Sequence, residues 1–297
     1  MKKTTMIIML ALLLCGCEKP LVTDIDEQAE GRHQVTLRLT TVEDNAHWTR
    51  SAKNAAEVAT RVGVAAFAAD GTKAASVNQK ESDNGFGTVT LTLSSGSYRL
   101  VALAHNCDGT ATISSPEKVT FPNNKVTDTF YHYGTLTIDA DGNATIDDQD
   151  AADVLVLKRC VARFRLILTD EALPAALAQM KFYYMGGSST FCPQTGWGCV
   201  QSKQTELRAV ASDDDRVFDI YTMPHESGDV LTRLVVTAQD AEGNTLKERT
   251  FTNVPVSVNE TTQYEGAFFG SGGTGGSNGG TTLTVDADWG TTTRYSF

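Results

Sequence analysis

Residues 154–168 read VLVLKRCVARFRLIL, and the fold turns on how that stretch is understood. Val154, Val156, Cys160, Ala162, Phe164, Leu166 and Leu168 share one parity, interrupted only by Lys158. Leu155, Leu157, Arg159, Val161, Arg163, Arg165 and Ile167 hold the other. A period of two belongs to an extended strand, because successive Cβ atoms of a pleated chain point to opposite faces. The first parity is expected to face a core, and the second to take its three arginines to solvent or to acidic partners. At ~3.3 Å per residue the run would reach roughly 50 Å, several times the usual strand. It is therefore expected to bend or bulge near residues 158–160, or to pass from one sheet into another. A second β domain begins here.

The stretch lies near the midpoint of 297 residues, which favours two domains of similar length. Hydrophobic residues make up 41% of the chain, enough to build packed cores. The formal charge is −11, and no basic run with interleaved aromatics occurs, so nucleic acid is not an expected partner.

The segments before the midpoint alternate in the same way. Residues 33–42 set Val35, Leu37 and Leu39 against Thr36, Arg38 and Thr40. Residues 44–59 are polar and alanine-rich, a loop or short helix. Residues 61–67 form a strand turning at Asp70-Gly71. Residues 88–93 and 98–104 flank Ser94-Ser95-Gly96-Ser97 and read as a hairpin. Residues 126–138 follow, then Asp141-Gly142-Asn143. Short strands with turn residues at this spacing describe an antiparallel β-sandwich.

After the midpoint, residues 170–180 carry two acids ahead of an alanine- and leucine-rich run, and a short helix is expected there with Pro174 in its first turn. Residues 181–185 and 217–221 return to strand, 188–200 form a loop, and 233–238 and 247–251 make a hairpin around Glu242-Gly243-Asn244. Residues 262–269 lead into a glycine- and serine-rich run at 270–280 with the composition of a flexible linker. One more alternating segment follows, Leu283, Val285, Ala287 and Trp289 against Thr284, Asp286 and Asp288.

The first residues carry Lys2 and Lys3, then an apolar run at 6–14 that is too short to span a bilayer. Leu14-Cys15-Gly16-Cys17 ends it and resembles the bacterial lipoprotein signal, in which the cysteine after a small residue is acylated. Thioether formation needs a thiolate nucleophile. Each buried methylene adds about 0.8 kcal/mol, so several acyl chains hold a protein firmly to a membrane. Cys17 is thus the expected lipidated N-terminus, with residues 1–16 as signal peptide and 17–31 as an acidic tether.

Four features together resemble the Bacteroidota-type fimbrial subunits of the type V pilus, including their lipoprotein anchors. They are the signal ending at Cys17, Gly96-Ser97-Tyr98-Arg99-Leu100-Val101-Ala102, Leu157-Lys158-Arg159-Cys160-Val161-Ala162-Arg163, and Phe218-Asp219-Ile220-Tyr221-Thr222-Met223-Pro224. The resemblance implies an all-β chain of two tandem transthyretin-like antiparallel β-sandwiches, residues 32–150 and 151–269. It also implies a structural subunit of the outer membrane and fimbrium that joins other fimbrial subunits by strand addition. Stalk subunits of that family are cut after a basic residue in the loop following the first strand, which here points to Arg50; anchors keep that strand. Arg50 is equally an ordinary loop arginine. Residues 281–297 are expected to form a terminal strand, able to add to a neighbour through Leu283, Val285, Ala287 and Trp289 or to pair within its own domain. As a Gly-rich coil the linker would reach roughly 17–20 Å. The alternative function is a surface lipoprotein whose loops bind glycan or host protein.

Nothing in the sequence assembles catalytic chemistry or calls for a cofactor. The five histidines are scattered, and neither Gly-x-Ser-x-Gly nor His-Glu-x-x-His occurs. Residues 139–150 place glycine fourth instead of sixth for an EF-hand, so the run reads as a solvated turn. Asp213-Asp214-Asp215 reads as a loop, with no metal expected. Cys192 and Cys199 are the candidate disulfide, worth about 2 kcal/mol for so short a loop; two free thiols are the competing reading.

Overall fold

The computed structural model describes residues 31–43, 51–149, 151, 153–270, 282–286 and 289–297. Cys17, Arg50 and Ala287 lie outside the described residues. The first half contains β1 Arg32–Glu43, β2 Ser51–Asn54, β3 Arg61–Phe67, β4 Lys73–Lys80, β5 Thr88–Ser94, β6 Gly96–His105, β7 Thr112–Ser115, β8 Lys118–Thr120, β9 Thr129–Ile138, β10 Ala144–Ile146 and β11 Val154–Arg159. The second contains β12 Ala162–Leu168, β13 Gln179–Met185, β14 Thr190–Cys192, β15 Trp197–Gly198, β16 Lys203–Ala209, β17 Val217–Thr222, β18 Val230–Gln239, β19 Thr245–Pro255, β20 Thr261–Gly266, β21 Thr282–Asp286 and β22 Trp289–Ser296.

The midpoint run breaks at Cys160 and Val161, which are buried but belong to neither strand. β11 lies in a nine-stranded sheet between β1 and β9, and β12 in a five-stranded sheet between β17 and β20. The expected single core parity is corrected here: in β11 the buried residues are Leu155, Leu157 and Arg159, and in β12 the buried apolar residues are Ala162, Phe164, Leu166 and Leu168, with Arg163 buried on the other parity. The phase flips where the chain changes sheets. Lys158 therefore lies on the outer face of β11 and interrupts nothing. Residues 154–159, read above as opening the second half, sit in the sheet of the first.

The nine-stranded sheet runs β2–β1–β11–β9–β6–β3–β4, with β5 also on β1 and β10 also on β9. The five-stranded sheet runs β17–β12–β20–β22–β21, and a four-stranded one β16–β13–β18–β19. Among the described residues three pairs are parallel, β1 with β11, β12 with β20, and β20 with β22. The nine- and five-stranded sheets are thus mixed where antiparallel ones were expected, and the four-stranded sheet is antiparallel as expected. The parallel partners are remote in sequence, as the crossover connection of a parallel pair requires.

Residues 94–97 do not make the expected hairpin. β5 pairs with β1, whereas β6 pairs with β3 and β9. β5 buries only Val89, Leu91 and Leu93, one face, while β6 is buried on both faces from Leu100 to Ala104 and so belongs in the middle of a sheet. The 68–72 turn between β3 and β4 and the hairpin of β18 and β19 form as expected.

Among the described residues, helix is confined to Ala55–Val58, capped by the Asn54 side chain, and a 3-10 turn at Pro122–Asn124. The helix expected at residues 170–180 is absent. Asp170 instead accepts the backbone N–H groups of Phe268 and Phe269 at 2.7 and 2.8 Å, and Asp213 that of Leu173 at 2.7 Å. Ala178 N–H already donates to Gln239 in the adjoining sheet. Side-chain acceptors fixed in the fold replace the helical ones, as Asp residues at turns favour.

Three cores result. The first gathers Leu37, Leu39, Leu91, Leu100, Leu155 and their neighbours inside the nine-stranded sheet. The second packs Phe164, Phe182, Leu234 and Phe251 between the five- and four-stranded sheets. The third, with Phe67, Leu103, Tyr131, Phe191, Met223 and Trp289, draws residues from both halves. A small sheet, β15–β14–β8–β7, also takes two strands from each half. Residues Gly31–Phe297 cohere as one unit.

Candidate functional site

The sheet change at Cys160–Val161 leaves Arg159 at the end of β11 and Arg163 just inside β12. Both are buried, as is Trp289 at the start of β22. Both guanidinium groups lie over the indole, the Arg159 carbon 4.1 Å and the Arg163 carbon 4.4 Å from the ring centroid. A desolvated cation–π contact of this kind is worth about 2 kcal/mol. The ring of Tyr221 lies 6.0 Å from that of Trp289.

A buried guanidinium needs its N–H groups occupied. Arg159 forms a two-pronged pair with Asp128, Nε to Oδ1 at 2.7 Å and Nη2 to Oδ2 at 3.1 Å, and Nη1 donates to Asn259 Oδ1 at 2.6 Å. Arg163 Nε donates to Thr261 Oγ1 at 2.9 Å. Asn259 has φ of 60°, a left-handed backbone that asparagine tolerates better than most residues. Its N–H donates to Val161 O, and its carbonyl accepts from Gly290 N at 2.8 Å. The entry to β22 is therefore tied by side chain and backbone to the point where the two halves meet.

From there β22 runs parallel to β20, with Thr261 opposite Thr292 and Tyr264 opposite Tyr295. Tyr264 and Tyr295 stack at 4.8 Å, and Phe297 meets Phe251 at 5.3 Å. β21 folds back antiparallel on β22, pairing Leu283 with Thr293, and forms the outer edge of the sheet. The terminal strands thus pair within the chain here, and Trp289 is held in the interior. Leu283 and Val285 lie in β21.

Cys192 and Cys199 are free thiols, the first buried and the second exposed. Phe191 is opposite Gly198 and Cys192 opposite Trp197, which sets the cysteines diagonally across the small hairpin. Diagonal neighbours stand roughly 7–8 Å apart, wider than the Cα span most disulfides allow. Burial raises the Cys199 thiol pKa, and the neighbouring Cys192 adds to the shift.

The acidic runs fold as turns. Asp139 accepts from Asp141 N, Asn143 N and Asn143 Nδ2, and Asp240 closes the same ring with Asn244. Among the described residues no group of three His, Cys, Asp or Glu side chains is placed to hold a metal. His105 is buried, and desolvation lowers its pKa to about 4, with Arg61 contributing.

The arginine–tryptophan seat escaped the sequence reading in part. The alternation marked Arg159, Arg163 and Arg165 for solvent or acidic partners; Arg159 finds one in Asp128 and Arg165 in Asp219, each at 2.7 Å, while Arg163 is buried. That two would be buried against a tryptophan from the far end of the chain had no local signal.

A family model described as Mfa2, fimbrillin-A associated anchor proteins Mfa1 and Mfa2, matches residues 25–295. No curated protein matches the chain. Among solved structures, the fimbrial anchor protein Mfa2 from Porphyromonas gingivalis is 15% identical, covering 73% of this chain and 81% of its own, with a TM-score of 0.37. A fimbrial assembly protein from Parabacteroides distasonis is 12% identical, covering 80% and 92%, with a TM-score of 0.39.

Proposed function

Because this chain belongs to the Mfa2 family of fimbrillin-A associated anchor proteins, we propose that it is a non-enzymatic fimbrial subunit, lipid-anchored in the outer membrane through Cys17. It joins neighbouring subunits by strand addition at the C-terminal edge. The observation that carries the assembly reading is the order β17–β12–β20–β22–β21, which puts β21, the strand after the glycine-rich run, at the rim of a sheet with β22 next inside it. A strand added there or exchanged there would gain a ladder of backbone hydrogen bonds, with alternate side chains for register. The anchor reading draws on β1, which is paired with β2, β5 and β11. Cleavage at Arg50 and loss of β1 would remove the strand that joins these partners, so retention of β1 is the expected state.

Mass spectrometry of the membrane fraction tests the anchor: an acylated Cys17 is expected, and a Cys17→Ser protein that fractionates like wild type would exclude it. A chain ending at Gly280 tests the edge. It is expected to drop out of fimbriae, and fibre assembly at wild-type level would end the strand-addition reading.

A further inference from the structure

The second core is closed along one side by an arrangement its packing does not require. β16 is an edge of the four-stranded sheet and β17 an edge of the five-stranded one. From β16, Arg208 reaches across to the backbone of β17, donating to the Asp219 carbonyl from Nε at 3.2 Å and Nη2 at 2.9 Å. Nη2 also meets Glu206 Oε2 at 2.6 Å. Glu206 is 2% exposed, and its other oxygen accepts from the fully buried Tyr184 hydroxyl at 2.8 Å. Tyr184 also contacts Gln204, a residue that is 6% exposed and whose amide nitrogen has no partner.

A buried carboxylate is a poor way to stabilise the rim of an aromatic core. Desolvation offsets most of the attraction in a buried ion pair, and apolar replacements are often neutral or stabilising; such groups are better explained by what they specify. What this one specifies follows from the ladder. Leu168 N donates to Arg216 O, and the register continues Leu166 opposite Phe218 and Phe164 opposite Ile220. Hydrogen-bonded and non-bonded positions alternate in an antiparallel pair. Val217, Asp219 and Tyr221 therefore turn their backbone groups away from β12; the Tyr221 carbonyl accepts from the Tyr184 hydroxyl at 3.4 Å, keeping one lone pair, and the groups of Val217 and Asp219 face the open edge. The Arg208 guanidinium occupies the acceptor site at the centre of that edge. An exposed edge of this kind is a template for another strand.

We propose that Arg208, aimed by Glu206, guards the β17 edge and prevents its antiparallel pairing with β17 of a second copy of this chain. A second copy is the occupant because the edge is self-complementary about Asp219. The acid that would otherwise oppose its own kind is neutralised within each chain by Arg165, at 2.7 Å. The inference goes beyond the anchor reading and does not depend on it.

The test is the double variant Arg208→Met/Glu206→Met, which removes both charges together and leaves neither buried alone, compared with the full mature chain by sedimentation velocity. The variant is expected to melt as the wild type does and to self-associate at least tenfold more tightly. Adding Val217→Pro is expected to reverse that gain, because Val217 turns its N–H to the open edge and proline removes it without touching the β12 ladder. Glu206→Gln keeps the side-chain shape and loses only the charge that aims Arg208, so it is expected to shift association in the same direction by less. It carries the test if the double variant does not fold. A folded variant with wild-type association overturns the proposal, as does a dimer that survives Val217→Pro.

Discussion

Replacing Trp289 by alanine should release the C-terminal hairpin without unfolding the sheet it leaves. The indole is 3% exposed and packs against two buried guanidinium groups. A buried Trp→Ala change costs about 3–5 kcal/mol, through lost burial and the cavity left behind. Arg159 keeps Asp128 and Asn259, and Arg163 keeps Thr261, so the charges stay partnered and the loss falls on the docking of β22. At about 1.4 kcal/mol per decade that is roughly two to three and a half decades in the local opening equilibrium. The geometry supplies an internal control within one strand. Asn259 O accepts from Gly290 and Glu260 O from Arg163, so odd residues of β20 face β22 and even residues face β12. Residue-resolved amide exchange should therefore lose protection at Thr261, Gln263 and Glu265 while Thr262 and Tyr264 keep theirs. Equal loss at both sets would mean global unfolding, and unchanged protection at the odd set would mean that the seat does not hold the hairpin. Either result refutes the reasoning.

Asp128→Asn removes the charge partner of Arg159, whose side chain is 3% exposed; a loss of about 3 kcal/mol in denaturant unfolding is expected for an orphaned buried charge. Under native conditions an alkylating reagent should modify Cys199 alone and faster as pH rises, since its thiol pKa is raised, while buried Cys107 and Cys160 react only after unfolding. A Cys199 that reacts only after reduction would instead reveal a bond to Cys192. His105 is neutral when folded down to about pH 4 but ionises near 6.5 when unfolded. The unfolded state thus binds the extra proton first, and stability present above 6.5 should fall by about 3 kcal/mol as pH drops to 4. His105→Gln should flatten that limb of a pH series of denaturant melts, and an unchanged slope would show that other groups govern it.

Strand periodicity in the sequence reached much of the fold because many strands bury one face, so Val35, Leu37 and Leu39, or Val89, Leu91 and Leu93, print their alternation directly. It failed where both faces are buried or the phase changes. β6 is apolar on both parities, and nothing in residues 94–97 says that the chain leaves one layer for another. In residues 154–168 two alternations of opposite phase are joined by two buried residues, and a single parity spanning both looks unbroken except at Lys158. The helix read at 170–180 had the composition for it, but Asp170 and Asp213 find backbone N–H groups distant in sequence, which no local propensity registers. The seat for Trp289 was half legible, its arginines by their place in the alternation and its indole not at all. Pairing across more than a hundred residues leaves no trace in either segment alone.

The place of β1 bears on how the molecule would carry load. The chain enters at Arg32 directly into a strand bonded to β5 along its first seven residues and to β2 and β11 along its last. A pull on the residues before Arg32, directed along that strand, strains these ladders in shear, many bonds at once, whereas a pull across them would open the bonds one at a time. Val35, Leu37 and Leu39, each buried, would have to be drawn out of the first core together. Tension arriving from the N-terminal side therefore meets the most resistant direction of the nine-stranded sheet. It would also pass to the second half through the β11–β12 junction and the β8–β14 pairing, two routes side by side instead of one hinge.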